Sequence, residues 1–220
     1  MSGRLIVLDG LDGSGKQTQT RLLYERLSAE GVAVRAVSFP DYAQPSSELV
    51  KQYLAGEFGR ADEVSAYAAS SFYAVDRYAS YQKYWKRDYL SGHTILADRY
   101  ATSNLIHQMS KLPRDEWPGF QAWMEDYEYG KLWLPRPDVV VYLDMPPEVS
   151  RALLSERYGG DDSKRDIHEA DAAYQERCRG CALYAAQRMG WRVIPCAEGG
   201  RARGIEEIAG AVYEAVRPNL

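Results

Sequence analysis

Several short runs of the chain are apolar without polar interruption, "VVVYL" (Val139–Leu143) most clearly. A strand with one face in water alternates apolar and polar positions, whereas an unbroken run suits a strand covered on both faces. On this pattern strands are predicted at Arg4–Asp9, Val32–Ser38, Thr94–Asp98, Val139–Leu143 and Arg192–Pro195. Between them the apolar positions take helical spacing, over Lys16–Glu30, Ser46–Gly56, Asp62–Leu90, Ala101–Met109, Glu116–Tyr129, Pro147–Arg157, Ile167–Met189 and Ile205–Val216. Strands alternating with helices predict an α/β fold, a five-stranded parallel sheet with helices on both faces. Ligands of such sheets gather outside the carboxyl ends of the strands. The segments expected there are Gly10–Thr18, Phe39–Tyr42, Asp98–Tyr100 and the residues after Leu143.

With 220 residues the chain suits one substantial core, so a single domain over 1–220 is expected. "SERYGGDDSKRDIHE" (Ser155–Glu169) joins two helical patterns through a Gly-Gly pair and dense mixed charge. That composition fits a solvated loop or, given its place after the fourth strand, a basic lid. A net charge of −4 offers no general affinity for polyanions, which argues against a nucleic acid polymer as partner. No stretch of ~18 uninterrupted apolar residues suits a membrane span. The first strand follows the N-terminus so closely that no leader is expected, and the expected location is cytoplasmic. Cys178, Cys181 and Cys196 are too few for a disulfide framework, and "CRGC" lacks a second pair or a nearby histidine. Buried free thiols are the expectation.

The strongest chemical signal is "GLDGSGKQT" (Gly10–Thr18), placed between a predicted strand and a predicted helix. Polyphosphate needs many donors in a small space, and a glycine-rich turn presents backbone N–H groups at a helix N-terminus. Gly10, Gly13 and Gly15 allow the turn and close approach, while Lys16 adds a charge for the terminal phosphates. Asp12, Ser14, Gln17 and Thr18 complete the ATP-binding loop. Gln17 stands where the pattern G-x-x-x-x-G-K-[ST] has a hydroxyl for magnesium. Asp98 ends a buried strand, where a carboxylate can hold Mg2+ or its waters.

The loop, with "FPDY" (Phe39–Tyr42), "FYAVDR" (Phe72–Arg77), "DRYATSN" (Asp98–Asn104) and "LPRPDVVVYLD" (Leu134–Asp144), resembles the thymidylate kinase family from residue 4 to about residue 190. The resemblance implies a P-loop NTPase fold, a three-layer αβα arrangement with a short lid, and a homodimer. It implies transfer of the ATP γ-phosphate to dTMP with Mg2+. Arg99 would clamp the acceptor phosphate, Asp12 face the acceptor sugar, and Phe39, Pro40 and Tyr42 close the acceptor pocket. Tyr73 and Arg77, sharing a helix face at i and i+4, would stack on thymine and bond a base carbonyl. Ser103 and Asn104 match polar positions near the base. His107 replaces a tyrosine common in the family that helps to exclude a ribose 2′-OH. Gly13 replaces the loop arginine of some members, which moves the catalytic cation to the lid. There Arg165 is favoured over Arg157, with Lys164 and Arg151 nearby. Two alternatives stay open: a kinase of another nucleoside monophosphate or nucleoside, and a non-catalytic nucleotide-binding module suggested by Gln17.

Overall fold

The computed structural model describes residues 2–157 and 172–220, with residues 154–157 and 172 described by their backbone only. Five strands, β1 (Leu5–Gly10), β2 (Val34–Ser38), β3 (Thr94–Asp98), β4 (Val139–Asp144) and β5 (Arg192–Pro195), form one sheet in the order β2-β3-β1-β4-β5. Every pairing is parallel. The register sets Leu8 and Ser38 beside Asp98, and Gly10 beside Leu143, so the carboxyl ends of the first four strands meet at one edge. All five predicted strands form, within two residues of their predicted ends.

The unbroken apolar runs are explained by helices on both faces. Leu5, Val7, Ile95, Ala97, Val140 and Tyr142 face one core cluster. Their sequence neighbours Ile6, Leu8, Leu96, Val141 and Leu143 face the other. The first cluster is closed by α5 (Thr102–His107), α6 (Trp117–Met124) and α8 (Ala172–Met189) through Leu105, Phe120 and Ala182. The second is closed by α1 (Lys16–Ala29) and α9 (Ile205–Val216) through Leu23, Leu27, Ile208 and Val212. Each aliphatic side chain buried this way contributes about 1.5–3 kcal/mol.

The helical predictions need several corrections. Pro45–Ser47 forms a tight turn before α2 (Glu48–Leu54), which ends before Gly56 (φ 79°). The long helix expected over Asp62–Leu90 starts later, because the Ser65 side chain caps it by accepting from the Ala68 N–H at 3.1 Å. It then divides into α3 (Ala66–Ser80), a wide π turn at Tyr81–Trp85 and α4 (Lys86–Leu90). The wide turn brings the Tyr81 and Trp85 rings edge to face inside the core, 4.6 Å apart. A second wide turn, Glu125–Lys131, follows α6 where a continuous helix was expected. Helix α7 spans Pro147–Arg157. Beyond the prediction, Ala197–Glu198 and Arg201–Ala202 pair as a small antiparallel hairpin about Gly199 and Gly200, both at positive φ.

The three cysteines are free and buried, as expected. Burial pushes the Cys178 thiol up to about 11 and the Cys196 thiol up to about 12, away from the reactive thiolate. Among the described residues no helix is long and apolar enough to cross a membrane.

Candidate active site

The loop after β1 is shaped by two kinds of glycine. A Cβ on Gly10 would lie 2.6 Å from Ser14 Oγ and 3.0 Å from the Leu143 carbonyl, so the close approach itself requires glycine. Gly13 and Gly15 hold φ of 74° and 85°, which side-chain-bearing residues rarely adopt. Gly15 caps α1, whose first N–H groups have no carbonyl one turn earlier to bond. Lys16, buried at the start of that helix, donates to the Leu11 carbonyl at 2.7 Å and lies 3.9 Å from Asp12. Burial, reinforced by the Arg99 charge, lowers its pKa from 10.5 to about 8. Ser150 on α7 braces the loop by donating to the Asp12 carbonyl at 2.6 Å.

Beside the loop, Arg99 follows β3 with φ 64°, a left-handed conformation costing about 1–3 kcal/mol outside glycine. Its contacts hold it there. The Arg99 N–H donates to the Leu8 carbonyl at 2.9 Å, Nη2 donates to Asp12 Oδ1, and Nη1 donates to His107 Nε2 at 2.9 Å. A guanidinium only donates, so Nε2 accepts and the His107 ring is neutral in this arrangement. Tyr174 of α8 stacks on that ring, with its hydroxyl 3.4 Å from Nδ1. Burial opposes the Arg99 charge, but Asp12, Asp9 and Asp98 hold its pKa above the usual arginine value. Asp9 itself is fully buried. It accepts from the Gly10 N–H, the Thr102 hydroxyl at 2.7 Å and the Ser103 hydroxyl at 2.9 Å, tying α5 to the loop. Burial raises the Asp98 pKa, partly offset by Lys16 and Arg99.

A third group lies along α3. Tyr73 is half-buried and meets Tyr53 edge to face. One turn on, buried Arg77 forms a bidentate pair with buried Glu128, Nε donating to Oε2 at 2.7 Å and Nη2 to Oε1. Asn104 Nδ2 donates to the same Oε1 at 2.9 Å. Between Tyr73 and Arg77 in sequence, Asp76 points its carboxylate at the "FPDY" segment. It accepts from the Asp41 N–H at 2.8 Å and the Ser46 hydroxyl at 2.7 Å. Burial and the Asp76 charge raise the Asp41 pKa. Phe39 is buried against Tyr100, the Phe39–Pro40 peptide is cis, and Tyr42 is exposed.

These groups surround one cavity of about 420 Å³ at the carboxyl edge of the sheet. The residues predicted to meet the acceptor, Asp12, Phe39, Pro40, Tyr42, Tyr73, Arg77, Arg99, Ser103, Asn104 and His107, all line it. So do Gly13, Gly15, Lys16, Gln17, Thr18 and Asp98. Gly10 and Ser14 stand behind the loop as structural members, and Ser14 Oγ is buried without a partner among the described residues. Ser103 also spends its hydroxyl on Asp9. The expected lid about 155–169 lies outside the described residues from 158 onward, and Lys164 and Arg165 with it. Arg157 is described by backbone alone, and Arg151 donates to the Pro147 carbonyl at 3.2 Å. Sequence reasoning missed Asp9, Asp76 and Glu128, and also Gln108 and Tyr174, which line the same cavity. Asp76 and Asp9 adjoin residues it did single out, the one signal that pointed to them.

For a magnesium ion the donors fit a site shared with nucleotide phosphates. Among the described residues no three His, Cys, Asp or Glu side chains form a cage for a metal. Asp98 and Gln17 line the same cavity as Lys16, and magnesium commonly takes one or two carboxylates, phosphate oxygens and waters.

A family model described as thymidylate kinase matches residues 8–199. A thymidylate kinase of Mycobacterium tuberculosis is 31% identical over 196 residues, 86% of this chain and 90% of that protein. One of Caenorhabditis elegans is 30% identical over 159 residues, 67% of this chain and 66% of that protein. The solved thymidylate kinase of Candida albicans superposes with a TM-score of 0.71 at 22% identity, over 99% of this chain and 92% of that one. At that identity the likeness speaks for the fold.

Proposed function

The chain belongs to the thymidylate kinase family, ATP-dependent enzymes that phosphorylate dTMP, and from that premise we propose how its residues perform the transfer. The observation that carries the proposal is the convergence of Lys16, Arg99, Tyr73 and Arg77 on one cavity. The N–H groups opening α1 and the Lys16 ammonium receive the β- and γ-phosphates of ATP, so Lys16 leaves the Leu11 carbonyl. Arg99 turns from Asp12 to the acceptor phosphate, and the Asp12 carboxylate meets the sugar hydroxyl. Tyr73 and Arg77 hold the base, and the Phe39–Tyr42 segment closes over the monophosphate.

An oxygen of the dTMP phosphate then attacks the γ-phosphorus in line, and the bond to the β-phosphate oxygen breaks, giving dTDP and ADP. That oxygen is already ionised near neutral pH, so the step needs no general base, only placement and cancellation of charge. Lys16, Arg99 and, from the lid, Arg165 supply the cations. Asp98, with a water or the Gln17 amide oxygen, would hold Mg2+, which when bound neutralises the β- and γ-phosphate oxygens. A single domain over 1–220, a lid about 155–169, a homodimer and a cytoplasmic location belong to the same reading.

The test is Arg99→Ala. The KM for dTMP should rise at least tenfold, ~1.4 kcal/mol, and kcat should fall, while ATP affinity stays within about twofold. An unchanged KM for dTMP would remove Arg99 from the acceptor site.

A further inference from the structure

Arg77, Asn104 and Glu128 come from three separate elements and are no more than 2% exposed. Glu128 lies in the wide turn Glu125–Lys131 and belongs to none of the segments that carry the family resemblance. We propose that Glu128 sets which pyrimidine the kinase accepts, by fixing the donor and acceptor sense of Arg77 and Asn104 at the base. The inference rests on the reading that the base lies against Tyr73 and Arg77.

A carboxylate only accepts hydrogen bonds, so the Asn104 atom facing Glu128 Oε1 at 2.9 Å is the amide nitrogen. The Ser70 carbonyl, 3.5 Å from the same nitrogen, favours the same orientation. Asn104 Oδ1 has no donor among the described residues, and because Asn104 lines the cavity this acceptor is what it offers there. The bidentate pair takes Nε and Nη2 of Arg77, leaving Nη1 as the donor nitrogen for the cavity that the same side chain lines. One donor beside one acceptor complements the 4-oxo, N3–H edge shared by thymine and uracil. Cytosine reverses both groups, with an amino donor at position 4 and an acceptor at N3. Turning the Asn104 amide to suit cytosine would set its oxygen against the Glu128 carboxylate, a buried repulsion. Glu128 is therefore a positioning residue, acting on the base through two others.

In Glu128→Gln the new amide can donate to Asn104, so the Asn104 amide can reverse. In Glu128→Asp the charge remains but is withdrawn by one methylene from both partners. Initial rates with dTMP, dUMP and dCMP would be compared for the full chain and both variants, each after a cooperative thermal transition is confirmed. We expect the wild type to favour dTMP and dUMP over dCMP. The dTMP-to-dCMP ratio of kcat/KM should fall at least tenfold in Glu128→Gln and less in Glu128→Asp. A merely structural role would lower all three rates together, so an unchanged ratio in either folded variant overturns the proposal while leaving the base pocket in place. A wild type indifferent to dTMP and dCMP overturns the base-pocket reading and the proposal together. Should neither variant fold, a dTMP complex of the wild type decides. Glu128 still on Arg77 and Asn104, with Oδ1 on N3, supports it, and any other partner for Oδ1 refutes it.

Discussion

Lys16 gives a prediction whose size follows from its setting. Its ammonium is buried, feels the Arg99 charge, and has a pKa lowered from 10.5 to about 8. ATP phosphates beside it would hold the ammonium charged, so binding above pH 7 must take up a proton. With these values uptake is ~0.5 proton at pH 8 and ~0.9 at pH 9. Between pH 7 and pH 9 the charged fraction of the free protein falls from ~90% to ~10%, so the Kd for ATP should weaken about tenfold. The terminal phosphate is already ionised across this range and adds little. The sign for stability is opposite. Between about pH 8 and 10.5 the unfolded chain binds the proton and the folded protein does not, so this group's contribution to stability rises with pH. At pH 7 the buried charge costs the folded protein about 3 kcal/mol. Titration calorimetry of magnesium-free ATP at pH 7, 8 and 9, in two buffers of different ionisation enthalpy, measures uptake directly. Lys16→Met should abolish it. A flat Kd with no uptake at pH 8 would refute the account of Lys16.

Two further outcomes follow from the same site. Gln17 is exposed at the cavity, and magnesium tolerates a water in place of one ligand, so Gln17→Ser should leave kcat within about tenfold while Lys16→Ala costs far more; comparable losses in steady-state assays would contradict this. Asp76→Asn leaves a single acceptor oxygen for the Asp41 N–H and the Ser46 hydroxyl, and so loosens the Phe39–Tyr42 segment at Asp41 at a cost of about 1–2 kcal/mol. It should raise the KM for dTMP several-fold while leaving ATP affinity unchanged by calorimetry, and an unchanged KM would detach that segment from acceptor binding.

What could be read in advance divides along physical lines. Strands buried on both faces announce themselves locally, as "VVVYL" does, and a loop that must wrap phosphate is written in consecutive residues from Gly10 to Thr18. Buried carboxylates announce nothing of the kind. Glu128 meets a partner 51 positions away, Asp76 one 35 away and Asp9 one 93 away, and in sequence each resembles a solvated helix or strand-end charge. The wide turns at Tyr81–Trp85 and Glu125–Lys131 have no glycine or proline among the residues directly before them, DRYAS and FQAWM, so helical spacing read on into them. The hairpin about Gly199 and Gly200 had a turn signal but only two paired residues on each side, too few for an alternating pattern.

The central claim is that this cavity joins an ATP site to a dTMP site. A coupled ADP-release assay with magnesium, ATP and, in turn, dTMP, dUMP, dCMP and UMP tests it most directly. The account predicts rapid ADP release dependent on dTMP, weaker release with dCMP and UMP, and a marked fall of the dTMP-dependent rate in Arg99→Ala. Tight ATP binding with no acceptor-dependent release from any of the four would contradict it.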